Sequence, residues 1–200
     1  MSLTVRTLTG PEIAAASDAL ADLRIAVFAD WPYLYDGNTA YEAEYLREFM
    51  AAPDAVLVCA LDGDRVVGAA TASPMSAQDA AFQAPYLAQG GWTFRGCSIS
   101  ARSVLQPAYR GRGIGHAFFD HREAHARGCG ALASTFAAVI REEDHPDRPQ
   151  GYVPLDAFWR RRGYEPIPGL IARLSWKDHR DEDECEKPMQ CWVRDLSGQG

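Results

Sequence analysis

The stretch Val104-Leu105-Gln106-Pro107-Ala108-Tyr109-Arg110-Gly111-Arg112-Gly113-Ile114-Gly115-His116 decides how this chain is read. An apolar strand runs out at Leu105, a basic turn with alternating glycines follows, and a helix opens from Gly113. Glycines carry no Cβ, so Gly111, Gly113 and Gly115 let the main chain come close to a ligand. Their N–H groups, together with the positive end of the helix, form a cradle for an anion. Arg110 and Arg112 add guanidinium charge suited to phosphate oxygens. The stretch therefore reads as a diphosphate site, against the plainer alternative of glycines chosen only for a tight turn.

Three phosphate-binding loops compete for that reading. A P-loop places Lys and then Ser or Thr after its last glycine, whereas His116 and Ala117 follow Gly115 here. A dinucleotide fingerprint spaces its glycines G-x-G-x-x-G and has an acid about 20 residues on. This chain has G-x-G-x-G, and the region expected to hold the acid reads Ala131-Leu132-Ala133-Ser134-Thr135. The third pattern, Gln/Arg-x-x-Gly-x-Gly/Ala, is met by Arg110, Gly113 and Gly115. On it the chain resembles the GNAT superfamily of acyl-CoA N-acyltransferases. Leu155-Asp156-Ala157-Phe158-Trp159-Arg160-Arg161-Arg162-Gly163-Tyr164 is similar to that family's late helix-to-strand signature. Arg141 to Pro149, Tyr152 to Leu155, Trp176 to Asp178 and Lys187 to Met189 resemble a bacterial subgroup of it.

Composition narrows the partners. The chain has 200 residues, 47% of them hydrophobic, which suits one buried core and one domain over 1–200. The core is expected over about 3–176, with 177–200 a C-terminal extension. A net charge of −7 and the lack of a long basic tract disfavour nucleic acid. The basic loop in an acidic chain points instead to a small anionic ligand. Five cysteines, Cys59, Cys97, Cys129, Cys185 and Cys191, form no C-x-x-C pair and read as reduced thiols of a cytoplasmic protein. No apolar run reaches membrane-spanning length, and no signal peptide is expected.

Along the chain the pattern predicts a mixed α/β sheet flanked by helices. A first strand covers Leu3 to Leu8, a helix follows to about Phe28, and an aromatic loop runs from Trp31 to Asn38. Thr39 is expected to cap a second helix ending near Met50. Ala55–Leu61 and Arg65–Ala72 read as a hairpin about Asp62-Gly63-Asp64. Ser73 to Gly91 reads as a partly helical insertion, and Trp92 to Leu105 as extended chain with a bulge or turn at Gly96. A helix from Gly113 to Arg127, a strand from Ala131 to Ile140 and a short helix from Leu155 to Arg162 follow. Two strands, from Tyr164 and from Leu170 to Trp176, come next. Pro188 to Leu196 is read as an edge strand that offers a homodimer contact.

The resemblance implies acetyl-CoA as cosubstrate, lying where the strands ending near Leu105 and Ile140 splay. The main chain of Val104 and Leu105 would pair with its pantetheine arm. Arg110 to Gly115 would hold its diphosphate, with His116 nearby and Phe158 and Trp159 toward the thioester. The acceptor would be a small or peptide amine that attacks the thioester directly. Trp159 stands where the family often has an acid Tyr, so Tyr164 and Tyr152 are the substitute candidates. Arg102 stands where close relatives often have Glu; it reads as a ligand for a substrate carboxylate or as a surface charge. His145, just past the strand lining the cleft, is the candidate base, with a loop-pinning role as the alternative. Trp31, Tyr33 and Arg141 are candidate acceptor contacts. His121 and His125 are four apart on a helix, but no third ligand follows, so no metal is expected.

Overall fold

The computed structural model describes residues 2–8, 10–90 and 99–198. Its seven strands form one sheet in the order β1-β2-β3-β4-β5-β7-β6. They are β1 (Leu3–Leu8), β2 (Val56–Asp62), β3 (Arg65–Pro74), β4 (Ile99–Leu105), β5 (Ala133–Val139), β6 (Glu165–Trp176) and β7 (Cys185–Asp195). Among the described residues only the β4–β5 contact is parallel; every other neighbouring pair is antiparallel. That topology removes the doubly wound dinucleotide fold, whose sheet is mostly parallel.

Helices α1 (Gly10–Phe28), α2 (Thr39–Ala51) and α3 (Ala80–Gln89) cover one face. Leu20, Leu23, Leu46 and Phe49 pack there on Leu57, Ala69 and Val104. Helices α4 (Ile114–Gly128) and α5 (Asp156–Arg161) cover the other. Ile114, Phe118 and Ala126 lie on Val58, Ala60, Val67 and Ala70. Phe119, Phe136, Tyr164 and Trp192 form an aromatic cluster beside them, with Phe158 and Trp159 packed against it. Each such apolar side chain contributes about 1.5–3 kcal/mol on burial.

Several sequence expectations change. Asn38, not Thr39, caps α2: its side-chain oxygen accepts the N–H groups of Ala40 and Tyr41. The two strands expected after Tyr164 are one strand, β6, whose register breaks between Pro166 and Ile171, where Gly169 has a positive φ of 71°. The segment read as an edge is interior, because β7 lies between β5 and β6. The proposed dimer contact along it is therefore removed, and the segment expected as an extension completes the sheet. The edge strand on this side of the sheet is β6, where Pro166 and Pro168 withhold N–H donors from further pairing. The expected bulge or turn at Gly96 and the thiol of Cys97 lie outside the described residues.

Candidate active site

The sheet opens between β4 and β5. These strands pair only at Ile99↔Ser134 and Ser100↔Thr135. Beyond those pairs β4 continues to Leu105 and β5 to Val139 without joining. Five residues of β4 therefore face the split over about 16 Å. Val104 is buried at 3% exposure on the α1–α2 face, while Leu105 packs toward α4.

At the open end the chain makes a 3₁₀ turn over Pro107–Tyr109 and enters the glycine loop. Gly111 and Gly113 have φ of 75° and 80°, a region that costs an L-residue roughly 1–2 kcal/mol. Gly113 is the N-cap of α4 and makes no side-chain cap bond. Ala117 N–H reaches back to Gly113 O, but the N–H groups of Gly111 to His116 meet no acceptor within the described chain. A helix start left this open has the donors and the positive dipole end that suit an anion. Arg110 and Arg112 are exposed beside it, Arg112 lying 5.2 Å from the Tyr109 ring. Tyr109 in turn donates to Asp62 at 2.9 Å and ties the loop to the β2–β3 turn.

Phe158 belongs to this mouth rather than to the inner end of the split. Its ring meets His116 at 4.9 Å and Phe119 at 5.7 Å, and a Cβ on Gly115 would lie 3.5 Å from it. Trp159 turns onto Phe136 and Trp192 at 5.0 and 5.1 Å, on the α4–α5 face.

The proton-carrier candidates separate by environment. Tyr164 is 1% exposed; its hydroxyl donates to Glu123 at 3.2 Å and pairs with the Ser134 hydroxyl at 2.9 Å. Burial, then the Glu123 charge, pushes its pKa far up. Glu123 also takes Arg162 at 3.0 Å and Arg194 at 2.7 Å, so this is a network locking α4 to β7 and the α5–β6 turn. His145 Nδ1 accepts the N–H of Asp147 at 3.2 Å, and the ring lies 5.1 Å from Trp31. That bond leaves Nε2 carrying the proton in the neutral ring, with no free lone pair for a base. Tyr152 is half-buried, edge-on to Trp31 at 5.8 Å. Burial raises its pKa, then Asp156, with Arg148 and Arg110 acting the other way.

Arg141 is a clamp rather than an open acceptor contact. It bonds Asp178 at 2.7 and 3.1 Å and the carbonyls of Pro32 and Tyr33 at 2.8 and 2.7 Å. Trp176 donates to the same Tyr33 carbonyl at 3.0 Å, and His179 N–H bonds Leu34 O at 3.0 Å. The β6–β7 loop thus fixes the α1–α2 loop, where buried Leu34 is held at a left-handed φ of 56°. Trp31 and Tyr33 are consequently held in place by the clamp.

Sequence reasoning missed four residues. Arg24 and Glu42 form a buried pair between α1 and α2, and Tyr45 presents its ring to Arg24 at 4.3 Å and to Arg102 at 5.0 Å. Tyr86, on α3, meets Thr135 Oγ1 at 2.6 Å, at the last paired residue before the split. Tyr41, Tyr45 and Phe49 recur every four residues on α2, the one signal that pointed to this wall. His121 and His125 bond Thr7 and the Asp54 carbonyl instead of converging. Among the described residues no three His, Cys, Asp or Glu side chains gather to hold a metal, and no helix is long and apolar enough to cross a membrane.

The comparisons agree with this geometry. Residues 22–164 match the profile of the Acetyltransferase (GNAT) family, and the chain belongs to that family. Its fold is similar to an aminoglycoside 6'-N-acetyltransferase complexed with coenzyme A, at 17% identity and TM-score 0.61 over 100% of this chain and 99% of that one. The aminoglycoside 6'-N-acetyltransferase of Enterococcus faecium aligns at 15% identity and TM-score 0.62, over 98% and 99%. A phosphinothricin acetyltransferase of Sinorhizobium meliloti in complex with acetyl-CoA aligns at 17% and 0.58, over 98% and 89%. No curated protein matches the chain by sequence. At family level the chain is an acyl-CoA-dependent acetyltransferase.

Proposed function

We propose that the chain transfers the acetyl group of acetyl-CoA to the primary amine of a small molecule or an exposed peptide amine. The open amide array of Gly111 to Gly115, at the wide end of the β4–β5 split, carries this reading. Its residues fit the diphosphate: donors without acceptors, two left-handed glycines and two exposed guanidiniums. The unpaired edge of β4 from Ala101 to Leu105 fits an extended amide-bearing arm laid along it as an added strand.

Acetyl-CoA supplies an activated thioester whose carbonyl carbon is open to an amine. The chain's part is to align, to polarise and to exclude water. An N–H near Val104 takes up negative charge developing on the carbonyl oxygen. The amine reacts as the free base, so its ammonium, of pKa about 10, must first shed a proton. The thiol leaves readily, since thiols ionise near pH 8.5. Tyr164 and His145 are committed to hydrogen bonds within the chain, which leaves Tyr152 as the remaining proton-donor candidate.

Those commitments favour one second reading, an acyl-CoA-binding sensor that does not turn over. Calorimetry with acetyl-CoA, followed by a thiol-release assay across a panel of amines, separates them. Binding with thiol release supports transfer; binding without release from any amine supports the sensor; no binding overturns both.

A further inference from the structure

Resting on that reading, we propose that Arg102 binds an anionic group on the acceptor, so that the preferred substrate carries a carboxylate or a related acid close to its amine. Arg102 stands on β4 two residues past Ser100, the last residue paired with β5, and two before Val104. Its side chain lies on the α1–α2 face, opposite Thr71 in the ladder and 5.0 Å from the Tyr45 ring. Tyr33 on the fixed loop, Tyr41 on α2 and Asp79 at the start of α3 bear on it electrostatically. The guanidinium therefore stands where three elements meet at the inner part of the split.

Its charge is unbalanced within the described chain. Arg24, the other guanidinium against Tyr45, is closed by the buried carboxylate of Glu42. Arg102 has no such partner among the described residues. Asp79 makes no ion pair with it and accepts the N–H of Phe82 at 2.7 Å as a helix cap. Burial works against the Arg102 charge, but the surrounding phenols and Asp79 hold its pKa up, so it stays ionised. Burial likewise opposes ionisation of Tyr45, yet Arg102 and Arg24 outweigh it and lower that pKa. The Tyr45 shift reports the positive charge that the two guanidiniums place on this wall. A small cavity of about 10 Å³, whose polar lining is Arg24, Thr71 and Arg102, sits beneath it.

A half-buried guanidinium without a carboxylate has given up part of its hydration with no bidentate partner in return. A ligand that supplies the missing charge makes good that loss on binding. The planar fork of Arg suits a carboxylate, held by two parallel hydrogen bonds. Arg102 and Val104 are about 7 Å apart along the strand. With the carbonyl carbon held near Val104, the acid and the amine must lie within a few bonds of each other. A polycationic amine would meet this guanidinium unfavourably.

The test is a matched panel: 4-aminobutyrate against n-propylamine, phenylalanine against phenethylamine, and 2-aminoethylphosphonate against ethylamine. The wild type should favour the anionic member of at least the carboxylate pairs by about tenfold or more in kcat/KM. R102Q should erase that preference, and R102K, a point charge without the fork, should keep part of it. Acetyl-CoA affinity should stay unchanged in both. Preference for the uncharged members, or discrimination unchanged in R102Q, overturns the proposal while thiol release upholds the transfer reading. If no amine releases thiol, calorimetry of the same pairs on the CoA-loaded protein decides. Selective binding of the anionic members, lost in R102Q, supports the site, and its absence overturns it.

Discussion

Gly113→Ala isolates the contribution of the amide cradle. Gly113 sits at φ 80° and ψ −6° as the N-cap of α4, and an added Cβ would meet nothing within 4 Å. The substitution therefore adds no clash; it adds only the left-handed penalty, roughly 1–2 kcal/mol. Where the loop relaxes to escape that penalty, the N–H groups of Gly111 to Gly115 no longer converge. Restoring them on binding then takes the same energy from the ligand, so the acetyl-CoA Kd should rise about 5- to 30-fold. Gly130→Ala is the matched control at the other end of α4: φ is 75° and no atom lies within 4 Å of the new Cβ. It should lose similar stability in urea and leave Kd unchanged. Isothermal titration of acetyl-CoA into both variants reads the difference. Equal Kd values for Gly113→Ala and the parent, with the loss of stability present, would refute the cradle.

Other predictions address the surrounding frame. Tyr164→Phe leaves Glu123 short of a buried donor and the Ser134 hydroxyl short of a partner, and should cost about 1–3 kcal/mol in urea unfolding, with kcat unchanged; a selective fall in kcat would return Tyr164 to the chemistry. Arg141→Ala removes the clamp on the Pro32 and Tyr33 carbonyls and should raise the KM for the amine while acetyl-CoA affinity holds. Unfolding against pH should show an acid limb. The Lys187 ammonium, then the Cys185 thiol, hold Asp181 below the usual carboxylate range, and Arg180 does so for Asp147. A depressed carboxylate stabilises above its unfolded pKa of about 4 and loses that contribution as pH falls through its folded value. The urea midpoint should therefore be flat from about pH 7 to 5, fall below about 4, and fall less in Asp181→Asn.

The parts of this molecule readable from sequence are those fixed by local chemistry. The glycine loop and its helix were legible because positive φ and free amides are written in residue type within a few positions. The hairpin about Gly63 and the stop at Gly163 follow the same logic. What could not be read depends on which strands meet. Pro188 to Leu196 alternates in the way an edge strand does, yet pairing on both sides makes it interior, because sheet order is set by packing over the whole chain. Arg141 looked like an acceptor contact until the β6–β7 loop brought Asp178 to it from 37 residues away. The bond from the Asp147 N–H to His145 Nδ1 depends on how the loop turns, and the spacing alone does not show it. Arg24 and Glu42 gave no motif, since a buried ion pair between two helices leaves no spacing signal.

The most direct test of the central claim is a crystal structure of the protein with coenzyme A bound. The account predicts diphosphate oxygens within about 3.2 Å of main-chain nitrogens between Gly111 and Gly115, with the pantetheine arm along β4 in the split. A diphosphate bound elsewhere, or those same amides bonded to the protein's own carbonyls in the complex, would contradict it.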